Sequence, residues 1–326
     1  MTSSSRMTAP NDSACPRAMA WNSVPARLVD DKMGKMNSAR IPIHGPLDLK
    51  RTLQPLHGNF AEDGWWLSAR TPDGPGSLRV SRTRDEMIGD AWGAGAAWLL
   101  GRLAAITGLE DDPDVFQTDD PIISELHRHN RGMRFGRTGL VFDSLIAGIV
   151  RQKVTAQEAA SAMRGLYRKF TDPAPGPNQR LRLPPDPERM AEAPYWEFHD
   201  LHLEKRRADL ITRVAADHEK IDGSSDLIPL EAASMLHRYQ GIGEWTIAET
   251  LAPSHGDADQ VAVGDFHLKH MVVYHLTGRP RGTDDEMLEL LEPFRPHRGR
   301  VARLIHTLGH EPKYGPRATP RDITGI

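Results

Sequence analysis

One stretch constrains this chain more than any other: Leu236 to Asp265, LHRYQGIGEWTIAETLAPSHGDADQVAVGD. A short amphipathic run with Met235, Leu236 and Tyr239 meets Gly241-Ile242-Gly243, and a second helical run opens at once with Glu244-Trp245-Thr246. A junction this tight needs backbone at positive φ, which glycine adopts without a Cβ clash. The bare backbone at Gly241 and Gly243 also lets another molecule approach closely. The new helix turns its unpaired N–H groups and the positive end of its dipole to the same place, a combination suited to phosphate. The carbonyl oxygens of Gly241 and Gly243 are expected to be able to share a monovalent cation, Na+ or K+. Further on, Asp265 follows a glycine where another helical run begins. An aspartate there reads either as an N-cap or as a working carboxylate, and the two roles are compatible. On these residues alone, two core helices joined by a glycine turn is an equally good reading.

The chain has 326 residues, which suggests two domains with real cores. Its formal net charge of −3 gives no global excess of positive charge, so basic patches must be judged locally. Cys15 is the only cysteine. That excludes an intramolecular disulfide, a cysteine-based zinc site and a four-cysteine iron–sulfur cluster. No apolar run approaches the ~18 residues that a membrane span needs, and the first twenty residues lack a signal-peptide core. The expected location is cytoplasmic, without membrane partners.

Residues 1–40 lack periodicity and read as a disordered leader. Residues 41–117 carry short turn-bounded segments around Trp65-Trp66 and Ser77–Ser81, followed by a helical pattern over 91–109. They read as a small α+β domain built on an antiparallel sheet, with Trp65 and Trp66 as packing residues. Residues 118–312 are helical in pattern, and 313–326 read as an irregular tail. Helices are expected from Pro121, over 142–150, after Thr155 with Glu158 completing a capping box, and from Pro187. Others are expected over 205–221, 283–291 and 298–309, with the helix-turn-helix at about 229–252. Three basic clusters read as phosphate contacts: Arg131, Arg134 and Arg137; Lys205-Arg206-Arg207; and Arg295, Arg298, Arg300 and Arg303 with His297. Asp257, Asp259 and Asp265 lack the glutamate that a calcium loop would place after them.

The segments VFDSLIAGIVRQKVTAQEA, LHLEKRRADLITRVA, LHRYQGIGEWTIAETL, GDFHLKH and FRPHRGRVARLIHTLG occur in an order that resembles the helix-hairpin-helix DNA glycosylases. The resemblance covers residues 45 to 310 and is nearest to the bacterial 3-methyladenine DNA glycosylase II (AlkA-like) branch. It implies an α+β protein: a small antiparallel-sheet domain, then a mainly helical glycosylase domain. It also implies base excision, in which a damaged base is flipped from duplex DNA and its N-glycosidic bond is cleaved to leave an abasic site.

By the same resemblance Asp265 is the catalytic aspartate and Trp245 lines the base pocket. Relatives that also nick the strand carry a lysine where Trp245 stands. Indole cannot form a Schiff base, so a monofunctional enzyme is implied. Glu249 replaces a pocket tyrosine, and His306 replaces a pocket aromatic in the last helix. Gln152 and Lys153 stand where the family fills the gap left by the flipped base, with Lys153 in place of an apolar wedge. Gly241, Gly243, Thr246 and Arg298 are the remaining expected DNA contacts. The implied partner is duplex DNA containing damaged, alkylated purines, bound by a monomer without catalytic metal or cluster. The second reading is a non-catalytic protein of the same fold that holds damaged or bent DNA.

Overall fold

The structure is a computed structural model that describes residues 27–30 and 37–309. The tail at 313–326 and most of the stretch read as a leader lie outside these residues. The described part of that stretch is strand: β1 (Arg27–Asp30) pairs antiparallel with β2 (Asn37–Pro42), so the sheet begins before residue 41.

The sheet has six antiparallel strands in the order β1-β2-β6-β5-β4-β3, where β3 is Asn59–Ala61, β4 Gly64–Thr71, β5 Gly74–Arg82 and β6 Glu86–Gly93. Register places Trp65 opposite Val80 and Leu67 opposite Leu78, while Leu78 faces Ala91 on the next strand. Their common face is covered by α1 (Leu49–Leu53), α2 (Ala96–Gly101) and α3 (Leu103–Ile106), which join it in one apolar core. A Cβ on Gly89 would come within 2.8 Å of the Leu103 side chain, so helix and sheet approach closely there. The helix expected over 91–109 is corrected by this arrangement. Trp92 belongs to β6 and stacks on Trp66 across the opposite face of the sheet, with ring centroids 5.2 Å apart.

That opposite face is covered by the Pro- and Gly-rich segment 171–187 of the helical part. Ser68 Oγ donates to the Arg182 carbonyl at 2.6 Å, and Arg70 pairs with Asp172 and Asp186 at 3.0 and 3.1 Å. With both faces covered, Trp65 to Ala69 are buried without alternation. The two tryptophans pack as the sequence suggests.

The helical part has two cores. The larger is built around α5 (Val141–Val150), nearly every residue of which is buried. Burying side chains such as Leu145, Ile146 and Ile149 contributes roughly 1.5–3 kcal/mol each. Around it pack α6 (Ala156–Lys169), α7 (Pro187–Glu192), α8 (Tyr195–His199), α9 (Lys205–Ala216), α10 (His218–Asp222), α11 (Pro229–Leu236) and α12 (Glu244–His255). The Thr155–Glu158 capping box is formed, so α6 starts as expected. The single helix expected over 205–221 breaks at Asp217 into α9 and α10. The smaller core joins α4 (Pro121–His129), α13 (Leu268–Thr277), α14 (Asp284–Leu291) and α15 (Arg298–His306). The segment between α12 and α13 passes from one core to the other, and Asp265 lies on it.

Candidate nucleic-acid interface and active site

The hairpin is fixed from three sides. Leu236 and Ile242 are buried in the larger core, and Gly241 takes a φ of 105°, which an L side chain rarely adopts. Arg213 Nη2 donates to the Gln240 carbonyl at 2.9 Å. From the end of α5, Gln152 Nε2 donates to the Gly241 carbonyl at 3.0 Å and to Thr246 Oγ1 at 2.9 Å. Gly243 is the N-cap of α12 and has no side chain to cap with, so the first N–H groups of that helix have no side-chain acceptor and lie beside exposed glycines. Thr246 differs from the sequence expectation. Its side chain is buried and its hydroxyl faces Gln152, so any phosphate contact at that residue falls to its backbone. Lys153 is exposed and holds a φ of 53°, a left-handed conformation that a side chain adopts at a cost of roughly 1–2 kcal/mol.

Asp265 is half-buried. Its Oδ1 accepts from the backbone N–H groups of His267 and Leu268 at 2.8 and 2.9 Å, so it ties down the start of α13 from two residues before the N-cap, which is His267 and not Asp265. Its Oδ2 accepts from Trp245 Nε1 at 3.3 Å. The structure therefore brings together the first turn of the hairpin's second helix and the aspartate. The loop is pinned from behind by Asp284, whose Oδ1 accepts from Gly264 N at 2.9 Å and whose Oδ2 accepts from Lys269 Nζ at 2.8 Å. Sequence reasoning missed Asp284, because nothing in the spacing of an acidic helix start points back to a loop in another segment.

Glu249 follows Trp245 by one turn on the same face of α12, and its side chain is 24% exposed. Burial raises its pKa above the usual carboxylate value, the Arg151 guanidinium 2.7 Å away pulls it down, and Asp265 adds a small upward push. Arg151 was not singled out in the sequence, although it adjoins Gln152. His57, from the sheet unit that shows no chemistry in sequence, is a third omission. Its Nε2 is buried without a hydrogen-bond partner, and burial, with a smaller push from Arg151, lowers its pKa to about 4. The imidazole is therefore neutral at physiological pH. A cavity of about 140 Å³ lies between the sheet unit and the helical cores. It is lined by Thr52 and Leu56, by Ala252 one turn beyond Glu249, and by Gly299 and Arg303 of α15.

Two expected site residues are placed differently. His306 is the exposed last residue of α15; Arg303, one turn earlier, lines the cavity, which none of Trp245, Glu249 and Asp265 reaches. Arg298 is turned inward onto Asp259, with Nη2 to Oδ2 at 2.6 Å and Nε to Oδ1 at 3.0 Å, and its side chain is 16% exposed. Other members of the basic clusters are also paired, Arg131 and Lys205 at the exposed surface and Arg137, Arg207 and Arg300 further inside. Arg131 pairs with Asp114, Arg137 with Glu110 and Lys205 with Asp209. Arg134 donates to the carbonyls of His44 and Pro46, Arg207 to that of Val150, and Arg300 pairs with Asp111. A cation drawn into a fold interface must be paired there, and the acids that do so are scattered through the sequence. Among the described residues no group of three or more His, Cys, Asp or Glu side chains is placed to hold a metal ion.

No family model and no curated protein matches the chain. Solved structures do. A 3-methyladenine DNA-glycosylase from Archaeoglobus fulgidus is similar with a TM-score of 0.67 at 17% identity, over 82% of this chain and 97% of that one. MBOgg1 in complex with a low-affinity DNA ligand gives 0.67 at 17% identity, over 88% and 100%. A Clostridium acetobutylicum 8-oxoguanine glycosylase/lyase in complex with double-stranded DNA gives 0.68 at 13% identity, over 87% and 97%. The chain has the fold of the DNA glycosylases. Nearly the whole length of each neighbour is matched, so the sheet unit and both helical cores belong to that fold.

Proposed function

We propose that the protein is a monofunctional DNA N-glycosylase that removes damaged, alkylated purines from duplex DNA. The observation that carries this reading is the Trp245–Asp265 hydrogen bond, which sets a carboxylate beside the phosphate-binding turn of the hairpin. In the proposed reaction the uncapped start of α12 holds a backbone phosphate, which positions the duplex without reading sequence. Exposed Lys153, turned out by its left-handed backbone, enters the gap left by the flipped nucleotide, and its stem packs between bases while the ammonium reaches phosphate. Flipping costs a few kcal/mol, least for a damaged or mispaired base.

Asp265 then faces the sugar. As the bond between C1′ and the base nitrogen breaks, its electron pair leaves with the base and C1′ gains positive charge, which the carboxylate stabilises. Water adds its oxygen to C1′. One of its protons stays on the new hydroxyl, and the other passes to solvent or to the departing base. Trp245 stands where a lyase would need an amine, and its indole offers a face on which an electron-poor alkylated purine stacks.

The test is release of free base from methylated duplex DNA by the wild type and by Asp265→Asn. The expected result is release by the wild type, a fall of at least 100-fold in the variant, and duplex binding that persists in both and weakens with salt. Equal release by both would remove Asp265 from the chemistry. Strand cleavage without added base would overturn the monofunctional assignment. Salt-sensitive binding with no release from any lesion would favour a non-catalytic damaged-DNA binder.

A further inference from the structure

Trp245, Glu249 and Ala252 lie along one face of α12, and the cavity touches that row only at Ala252. A base whose sugar is held at Asp265 and whose ring lies near Trp245 therefore turns an edge toward Glu249. Arg151 Nη1 occupies Glu249 Oε2 at 2.7 Å, and Oε1 has no protein donor among the described residues. Arg151 is itself half-exposed, and a guanidinium carries five N–H donors, more than its one contact with Glu249 uses. The buried, unpartnered Nε2 of His57 is a further polar atom of the sheet unit within the electrostatic reach of Arg151.

An ionised carboxylate accepts hydrogen bonds and donates none, whereas a guanidinium only donates. The pairing edge of guanine presents two donors side by side, N1–H and the 2-amino group, next to the acceptor O6. A carboxylate flanked by a guanidinium complements all three. The pairing edge of adenine presents an amino donor next to the bare acceptor N1, which would meet a carboxylate oxygen lone pair to lone pair. A polar site rejects a ligand that leaves its groups unmatched far more strongly than an apolar one does.

We infer that Glu249 and Arg151 read the pairing edge of the flipped base, and that the base they select is a guanine damaged on its imidazole ring. This rests on the glycosylase reading and narrows it, since adenine derivatives become the poorer substrates. N7-alkylated and C8-oxidised guanines share the same pairing edge, so both fit the site.

The experiment uses the full chain with two DNA probes. DNA treated with a methylating agent carries 7-methylguanine and 3-methyladenine together, and release of the two from one tube gives a ratio that is insensitive to enzyme amount. A duplex oligonucleotide with a single 8-oxoguanine tests the oxidised base. Wild type is expected to favour 7-methylguanine relative to its abundance. Glu249→Gln, which offers one donor and one acceptor and so matches adenine, is expected to shift the ratio toward 3-methyladenine by about tenfold or more. Arg151→Gln, at an exposed position that tolerates the change, is expected to shift it in the same direction by a smaller factor. An unchanged ratio in both variants, with release intact, overturns the inference and leaves the glycosylase reading standing. Absence of release of any base by the wild type overturns that reading and the inference with it. Release of 7-methylguanine without 8-oxoguanine would still support the edge readout and assign the site to the alkylated base.

Discussion

Trp245 Nε1 donates to Asp265 Oδ2 across 3.3 Å, linking the hairpin to a loop that belongs to the other helical core. The bond orients the one oxygen of Asp265 that the α13 backbone leaves unclaimed. Trp245→Phe keeps the apolar surface and removes the donor. At this length the bond is expected to contribute about 1 kcal/mol, so base release should fall about five- to tenfold, with duplex affinity little changed. Single-turnover rates set beside equilibrium binding of an abasic-site duplex would check this. A loss confined to binding would mean that the indole serves only as a stacking surface.

Gln152 uses one amide nitrogen to hold both the turn carbonyl at Gly241 and the Thr246 hydroxyl. Gln152→Ala removes both bonds and leaves two partners in the seam between α5 and the hairpin. The expected loss is about 1–2 kcal/mol of stability, read from urea unfolding. Affinity for duplex DNA should also fall on the order of tenfold, because the uncapped N–H groups of α12 lose their fixed orientation toward phosphate. A normal affinity in a destabilised variant would show that the hairpin keeps its shape without this clamp.

Asp284 acts one step behind the carboxylate, by fixing Gly264 and Lys269 on either side of it. Gly264 has a φ of 89°, so the loop holds a conformation that most residues would resist and that the Asp284 bond helps to keep in place. Asp284→Ala is expected to lower the rate of base release by up to about 100-fold while leaving duplex affinity nearly unchanged, as a displaced reacting group does. Asp284→Asn keeps the acceptor for Gly264 N and should restore most of the rate. If alanine and asparagine prove equally slow, the role of Asp284 lies in its charge and not in holding the loop.

The parts of this architecture that were legible in sequence are those set by neighbours in the chain. The glycine turn, the Thr155–Glu158 capping box and the Asp265 hydrogen bonds to the start of α13 each follow from residues within a few positions of one another. The β6 strand was misread because Trp92, Ala96, Leu99 and Leu103 happen to repeat at helical spacing. In fact Trp92 points to the far face of the sheet, where a loop some eighty residues later covers it. The pairing of Arg298 is hidden from the sequence for a related reason. Whether Arg298 reaches phosphate or Asp259 depends on a loop that precedes it by 39 residues and folds back under α15. His57 and Asp284 were invisible because their significance comes only from tertiary contact.

Asp222 offers a test that needs no DNA. It sits at the end of α10, and its Oδ1 accepts from Phe142 N at the start of α5 at 2.9 Å. Burial raises its pKa from 3.8 to about 6, and the neighbouring Asp143 is pushed well above the usual range by burial and by Asp222. The folded protein thus holds the Asp222 proton up to about pH 6, whereas the unfolded chain releases it near pH 4. Between those values the folded state binds more protons, so this group contributes stability that is fully present at low pH and lost as pH rises through about 6. Asp222→Asn keeps an acceptor for Phe142 N and cannot ionise. Relative to wild type its stability should be nearly equal at pH 4 and should gain progressively to at most about 3 kcal/mol above pH 7, from a shift of about two pKa units. Urea unfolding of both proteins at pH 4.5 and 7.5 would read the difference directly. A stability difference that is the same at both pH values would place the titration of Asp222 outside this window.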